Sequence, residues 1–260
     1  MKKILALLLA MTMAMVLITG CGESEEDKGG EKDKPGSNLI KIAFDIPYGV
    51  PTVDGVIGED EYQVRRVMDG GSCSAWVGEV ANSVTEIYFA WDETGLYYAA
   101  SINDTTPSYR DEKSFWVGID CIELAINPGR LLSGEKAEGI FFSFGAMENG
   151  KIIGYRHNFM DGLVSDEITG KATGHTAGTD GYVVEVMIPW SLVKIDAACS
   201  VSGKQDITID STGFVPEEGS IIGLLPCVID ADESDTILGA YKFNDTDFIC
   251  DKFLNVKLVK

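Results

Sequence analysis

From Leu39 to Lys260 the apolar residues fall in short runs broken by Gly, Pro, Asn and Asp. Runs this short, bounded by turn formers, read as strands rather than helices. The pattern predicts strands at residues 39–44, 85–91, 96–102, 121–126, 139–144, 152–157, 182–188, 221–229, 237–241 and 253–259. Alternation is plain in Tyr182-Val183-Val184-Glu185-Val186-Met187-Ile188 and in Asn255-Val256-Lys257-Leu258-Val259-Lys260, as expected where one sheet face is buried. Trp91-Asp92-Glu93-Thr94-Gly95-Leu96 joins two such runs across an Asp/Gly turn, a hairpin signal. Only residues 59–66 and 190–194 suggest helices, both short, and 194–219 reads as an elaborated loop or inserted hairpin with one strand-like piece at 207–209. Many strands without long helices predict an all-β, two-sheet antiparallel sandwich.

The first 20 residues follow a different pattern. Lys2 and Lys3 precede an uncharged stretch from Ile4 to Gly20, the layout of a secretory signal. Because it ends in Leu17-Ile18-Thr19-Gly20-Cys21, it resembles a bacterial lipobox, which implies cleavage before Cys21 and a lipid anchor on its sulfur. The chain is then expected in the cell envelope, outside the cytoplasm and held to the membrane. The competing reading is an uncleaved membrane helix with an incidental Cys, at the short limit for spanning. Residues 21–38 then carry the lipidated Cys and a charged, Gly-containing stretch without large apolar side chains, which reads as a flexible tether. Residues 39–260 form the folded domain.

Charge narrows the partners. The chain has 41 acidic and 21 basic residues; six acidic residues lie in the tether and five basic ones in signal and tether, so the domain from Leu39 carries 35 against 16, a net of −19. Nucleic-acid binding needs clustered Lys and Arg and is disfavoured. Two His make an imidazole-rich zinc site unlikely to assemble, whereas calcium takes carboxylate oxygens. Candidates for calcium are the turn-adjacent Asp92, Asp104, Asp230 and Asp232, against a plain reading as solvated carboxylates. Beyond Cys21, five Cys remain without a CxxC pair. They are expected mostly buried and reduced, with one disulfide as the alternative.

Five segments, in order, resemble the family 9 carbohydrate-binding module and its DOMON-like relatives. Residues 48–62 (YGVPTVDGVIGEDEY) look like its opening Asp-Gly turn, and 86–107 (EIYFAWDETGLYYAASINDTTP) like its hairpin. Residues 116–128 (WVGIDCIELAINP), 181–193 (GYVVEVMIPWSLV) and 219–232 (GSIIGLLPCVIDAD) look like three further strands. The resemblance implies a sandwich of immunoglobulin or jelly-roll type that binds an oligo- or polysaccharide in a slot between two aromatic walls with a polar base. Such a slot suits a pyranose, whose C–H face stacks on a ring while its hydroxyls need directional partners. By position, Trp116 and Phe248 match the walls, and Glu123 and Asn244 match polar positions. Three departures stand out: an extra residue between Trp116 and Asp120, Phe248 in place of a Trp, and an apolar 139–144 strand where sugar-binding members carry an Arg.

Each residue also has a plainer reading. Trp91 and Trp190 suit core packing; Trp76 suits core or platform, and Trp116 sugar stacking or core. Glu123 and Glu185 interrupt apolar strands, and an outward, solvated face is the default for both. The leading reading is a surface lipoprotein that holds carbohydrate for catabolism, beside glycoside hydrolases or sugar transporters. One alternative is an enzyme, most plausibly a glycosidase with two carboxyl groups across a cleft, although no serine-hydrolase, zinc-protease or phosphate-loop motif is present. The other is a haem-binding redox domain, in which His157 or His175 with Met68, Met147 or Met160 would be axial ligands.

Overall fold

The computed structural model describes residues 40–69, 73–78, 85–104, 108, 120–131, 139–147, 149–157, 162–174, 181–195, 212–232, 236–243 and 250–260. Among them the regular elements are strands and three single-turn 3-10 helices, and no helix is long and apolar enough to cross a membrane. The compact unit that carries the strands runs from Ile40 to Lys260.

Nine strands form one sheet: β1 (Phe44–Pro47), β3 (Cys73–Gly78), β6 (Cys121–Asn127), β7 (Ile140–Ala146), β8 (Ile152–His157), β9 (Gly162–Val164), β12 (Ile221–Asp232), β13 (Thr236–Phe243) and β14 (Leu254–Val259). Its main path is β1-β14-β12-β6-β7-β8-β9, with β13 and β3 added beside β12. The second sheet has the order β10-β11-β5-β4-β2, from β10 (Thr169–Thr173), β11 (Tyr182–Pro189), β5 (Gly95–Ile102), β4 (Thr85–Trp91) and β2 (Val64–Met68). All described pairs are antiparallel except β1 with β14. The sandwich expected from the sequence is therefore present.

Side-chain alternation builds the core. Tyr182, Val184, Val186 and Ile188 of β11 face inward, as do Ile122, Leu124 and Ile126 of β6, and all join one cluster between the sheets. Trp91 and Trp190 sit in it, as expected. Phe89 stacks on Tyr98 with centroids 5.1 Å apart, and Phe142 lies parallel to Phe144. Each large side chain buried this fully contributes about 1.5–3 kcal/mol. Pro226 lies in the central strand β12, where a missing N–H is normally costly. On one side of β12 the ladder changes from β14, ending at Leu224, to β13, starting at Cys227, so residues 225 and 226 lie between the two ladders.

The expected helix at 59–66 is a turn followed by strand β2. Val64 and Met68 face the core while Arg65 and Val67 face out, a period-2 pattern that pairing with β4 rewards. The sequence pattern does not predict strands β3, β9 and β10: β9 has only three residues and β10 is polar, whereas β3 has six mostly apolar residues. The second expected helix is a 3-10 turn at Trp190–Leu192. The expected strand at 207–209 lies outside the described residues. Cys73, Cys121, Cys227 and Cys250 are buried, and Cys21 and Cys199 lie outside the described residues.

Candidate functional site

The outer face of the nine-stranded sheet carries the residue that the sequence singled out. On β6, Ile122 and Leu124 point into the core, so Glu123 points away from it. Cross-strand register places Cys227, Glu123, Ser143 and Tyr155 in one row over β12, β6, β7 and β8. The Ser143 hydroxyl donates to Glu123 Oε1. One end of this face is covered by an apolar cluster of Ala125, Phe141, Ile195, Leu225, Cys227, Cys250 and Phe253; at the other end Cys121 packs with Ile229. Glu123 thus occupies a polar gap between two apolar patches. The solvated face expected for it is corrected: the side chain points outward from the sheet, yet the residue is only 5% exposed because flanking apolar groups enclose it.

A second cluster of carboxylates lies elsewhere. Asp104, Asp120 and Asp230 place one oxygen each within 4.8 Å of one another. Asp120 Oδ2 accepts from the Ser108 N–H at 2.6 Å, and its Oδ1 accepts from the Ala231 N–H at 2.8 Å. Carboxylate oxygens have more than one acceptor site, so Asp120 can hold the backbone and still face a cation. Burial and the nearby charges of Asp120 and Asp104 push the Tyr182 hydroxyl far above its usual range. Of the four calcium candidates, two belong here; Asp120 was missed, because only register brings it beside Asp230.

Asp92 does not belong to that cluster. Its Oδ1 accepts from the Thr94 N–H, the Thr94 hydroxyl and the Gly95 N–H at 2.7, 2.6 and 2.9 Å, and its Oδ2 accepts from the Tyr97 hydroxyl at 3.0 Å. It shapes the β4–β5 turn, as an Asx residue does. A Cβ at Gly95 would lie 2.5 Å from Met187 Sδ, so the turn also needs glycine. For Asp232 the backbone lies on β12, and its side chain is outside what is described.

Glu185 is likewise not solvated. It sits on the outer face of the five-stranded sheet at 0% exposure, beneath the strap of residues 51–62. Its Oε2 accepts from the backbone N–H groups of Asp54, Gly55 and Val56 at 3.2, 2.7 and 3.1 Å, and its Oε1 accepts from the Tyr62 hydroxyl at 3.0 Å. Gly55 has φ +86°, and a Cβ there would lie 2.6 Å from Thr173 Cγ2. Burial pushes the Glu185 carboxyl pKa upward, and the bonds from Gly55, Tyr62 and Asp54 pull it partly back. The resembling Asp-Gly segment is therefore a structural strap, clasped by a glutamate from a distant strand.

No protein-family model matches the chain, and no curated protein matches it. Solved structures do. A family 9 carbohydrate-binding module from Caldicellulosiruptor kristjanssonii, in complex with cellotriose, aligns at TM-score 0.53 and 17% identity, over 84% of this chain and 94% of that one. A family 9 carbohydrate-binding module from the same organism, in complex with glucose, gives 0.52 and 17%, over 84% and 95%. A Bacteroides uniformis structure gives 0.51 and 9%, over 84% and 99%. The fold is that of a family 9 carbohydrate-binding module.

Within this family 9-like fold, only Glu123 among the four expected sugar contacts is described. Trp116, Phe248 and Asn244 lie outside the described residues, as does the lipidation candidate Cys21. The polar partner that sequence reasoning missed is Ser143. Its signal was present as the one hydroxyl in Ile140–Ala146, and alternation places it on the side opposite Phe142 and Phe144. Of the candidate haem ligands, Met68 is packed in the core and Met147 follows β7; His157 ends β8, and His175 and Met160 lie outside the described residues.

Proposed function

We propose that this protein is a lipid-tethered, extracytoplasmic carbohydrate-binding protein that takes a neutral oligosaccharide on the outer face of its nine-stranded sheet. The observation that carries this reading is the buried Glu123–Ser143 pair, set between apolar patches on a family 9-like fold. A carboxylate held by a neighbouring hydroxyl accepts from sugar hydroxyls, and aromatic walls receive the C–H face of the ring. Trp116, Phe248 and Asn244 complete the slot in this reading, with binding rather than hydrolysis as its activity. A domain of net −19 favours a neutral glycan over an anionic polymer.

Isothermal titration with glucose, cellotriose and xylo-oligosaccharides tests it. Saturable heat that Glu123→Gln lowers by about 10-fold or more supports the reading; no heat with any of them overturns it. Metabolic labelling with a fatty acid tests the anchor, which Cys21→Ser must abolish.

Calcium at Asp104, Asp120 and Asp230 belongs to the same proposal. Three converging carboxylates form a hard-oxygen donor set of the kind calcium takes, and the cation would tie the start of β6 to β12. Terbium luminescence sensitised by nearby aromatic groups such as Tyr182, lost in Asp230→Asn and competed by calcium, checks it.

A further inference from the structure

A pocket at one end of the sandwich lies apart from both clusters. Tyr48 follows β1, and its backbone is pinned on both sides: its N–H donates to Val259 O at 2.7 Å, and the Gly49 N–H donates to Trp91 O at 2.9 Å. The side chain is fixed as well. Its ring meets Trp91 edge to face, with centroids 5.4 Å apart at 83°, and its hydroxyl donates to Glu93 at 2.5 Å. Lys260 Nζ lies 5.1 Å from the ring centroid and pairs with Glu93 at 3.0 Å. Tyr48 nevertheless remains 36% exposed. An exposed aromatic held this firmly loses little conformational freedom on binding, which is the physical use of tyrosine in recognition surfaces.

Beside it opens a cavity of about 270 Å³, whose lining includes Tyr48, Val50, Ala90, Asp60, Glu61 and Gln63. Tyr48, Ala90 and the 66%-exposed Val50 supply the smaller, apolar part of the lining, and the larger polar part includes carboxylates and an amide. Glu61 is oriented, since its Oε1 accepts from the Thr52 N–H at 3.3 Å and its Oε2 from the Gly58 N–H at 2.8 Å. Among the described residues no Lys or Arg lines the cavity, which disfavours an anionic ligand. The apolar part disfavours a bare metal ion. What remains is a neutral ligand with one apolar face and many hydroxyls. The volume lies just below the ~300–1,000 Å³ usual for drug-sized ligands, which suits one ring rather than a chain.

We infer that the Tyr48 pocket is a second saccharide site, taking a single pyranose unit. It shares the ligand class of the site at Glu123 and none of its residues, so either can fail alone. The affinity expected is weak, with Kd of about 1–10 mM.

The test is NMR titration of the full chain, with its tyrosine rings labelled, against the methyl glycosides of glucose, galactose, mannose and xylose. Tyr48 resonances are assigned by Tyr48→Phe. A saturable shift of the Tyr48 ring with at least one glycoside is expected, unchanged in Glu123→Gln. Gln63→Ala, at an exposed rim position, should weaken it about 3-fold or more, the scale of one neutral hydrogen bond. Gly49→Val should abolish it by filling the cavity: a Cβ there meets only Ala90 Cβ, at 3.6 Å, so the backbone tolerates the change. No saturable Tyr48 shift up to about 100 mM of any of the four glycosides, or a shift that survives Gly49→Val, overturns the inference.

Discussion

Glu185 and Glu123 look alike in the sequence: each is a lone acid inside an apolar strand. The sheets place them on opposite outer faces and give them different work. Glu185 is closed over by a strap of its own chain, which supplies three backbone N–H donors and a tyrosine hydroxyl. Glu123 is met by the hydroxyl of a neighbouring strand on a face flanked by apolar patches. A buried acid is a structural clasp where the fold brings donors to it, and in the function proposed above Glu123 contacts the ligand instead. The residue type alone does not separate the two.

The largest effect that tests this contrast is Glu185→Ala. It leaves several buried donors without an acceptor, each costing about 1–3 kcal/mol, and should lower stability by about 3 kcal/mol or more in urea. Proteolysis within 51–62 should rise in parallel. Glu123→Gln should instead leave the urea midpoint nearly unchanged and reduce glycan affinity. Equal destabilisation by the two variants would erase the distinction.

A medium effect concerns pH. The Glu185 carboxyl is raised in the folded state, mainly by burial. The folded protein therefore binds this proton more readily than the unfolded chain. Its contribution to stability is fully present below the unfolded value of about 4.5 and is lost as pH rises through the folded value. Glu185→Gln, which cannot ionise, should gain stability relative to the parent chain between pH 4.5 and 7; melting curves across that range check the sign. The half-buried Glu86, held by Arg65 and Tyr88, shifts in the opposite direction. Its contribution is present above the unfolded value and is lost as pH falls through the folded one.

The smallest effect involves a buried polar group that neither glutamate serves. The Tyr98 hydroxyl lies in the core without a hydrogen-bond partner, and its pKa is raised far up by burial and by nearby charges that include Glu123. Tyr98→Phe removes an unpaired hydroxyl and keeps the ring stack on Phe89. Stability should be unchanged or rise by about 1 kcal/mol. A clear loss would mean that the hydroxyl supports the underside of the Glu123 row.

Much of the sandwich was legible because inward positions repeat every second residue, as in Tyr182–Pro189 and Cys121–Asn127. Residues 59–66 misled because Glu59, Glu61, Gln63, Arg65 and Arg66 are good helix formers, and only pairing of β2 with β4 decides for strand. Strand β10 (TGKAT) carries almost no apolar signal and is held by β11. At the candidate sites, Glu123 could be named from its strand, but its partner Ser143 lies on the next one. Asp92 looked like a calcium ligand because a turn carboxylate has the same sequence signature whether its partners are N–H groups or a cation.

The sequence by itself determined the period of the strands, the turns that end them and the sign of the domain's charge, because these are local or additive properties. Only the tertiary structure decided that Asp120 joins Asp104 and Asp230, that Glu185 clasps residues 54–62, and that Tyr48 stands fixed beside a pocket. Each depends on register between segments far apart in the chain, and register is set by the burial of whole sheet faces rather than by any residue involved.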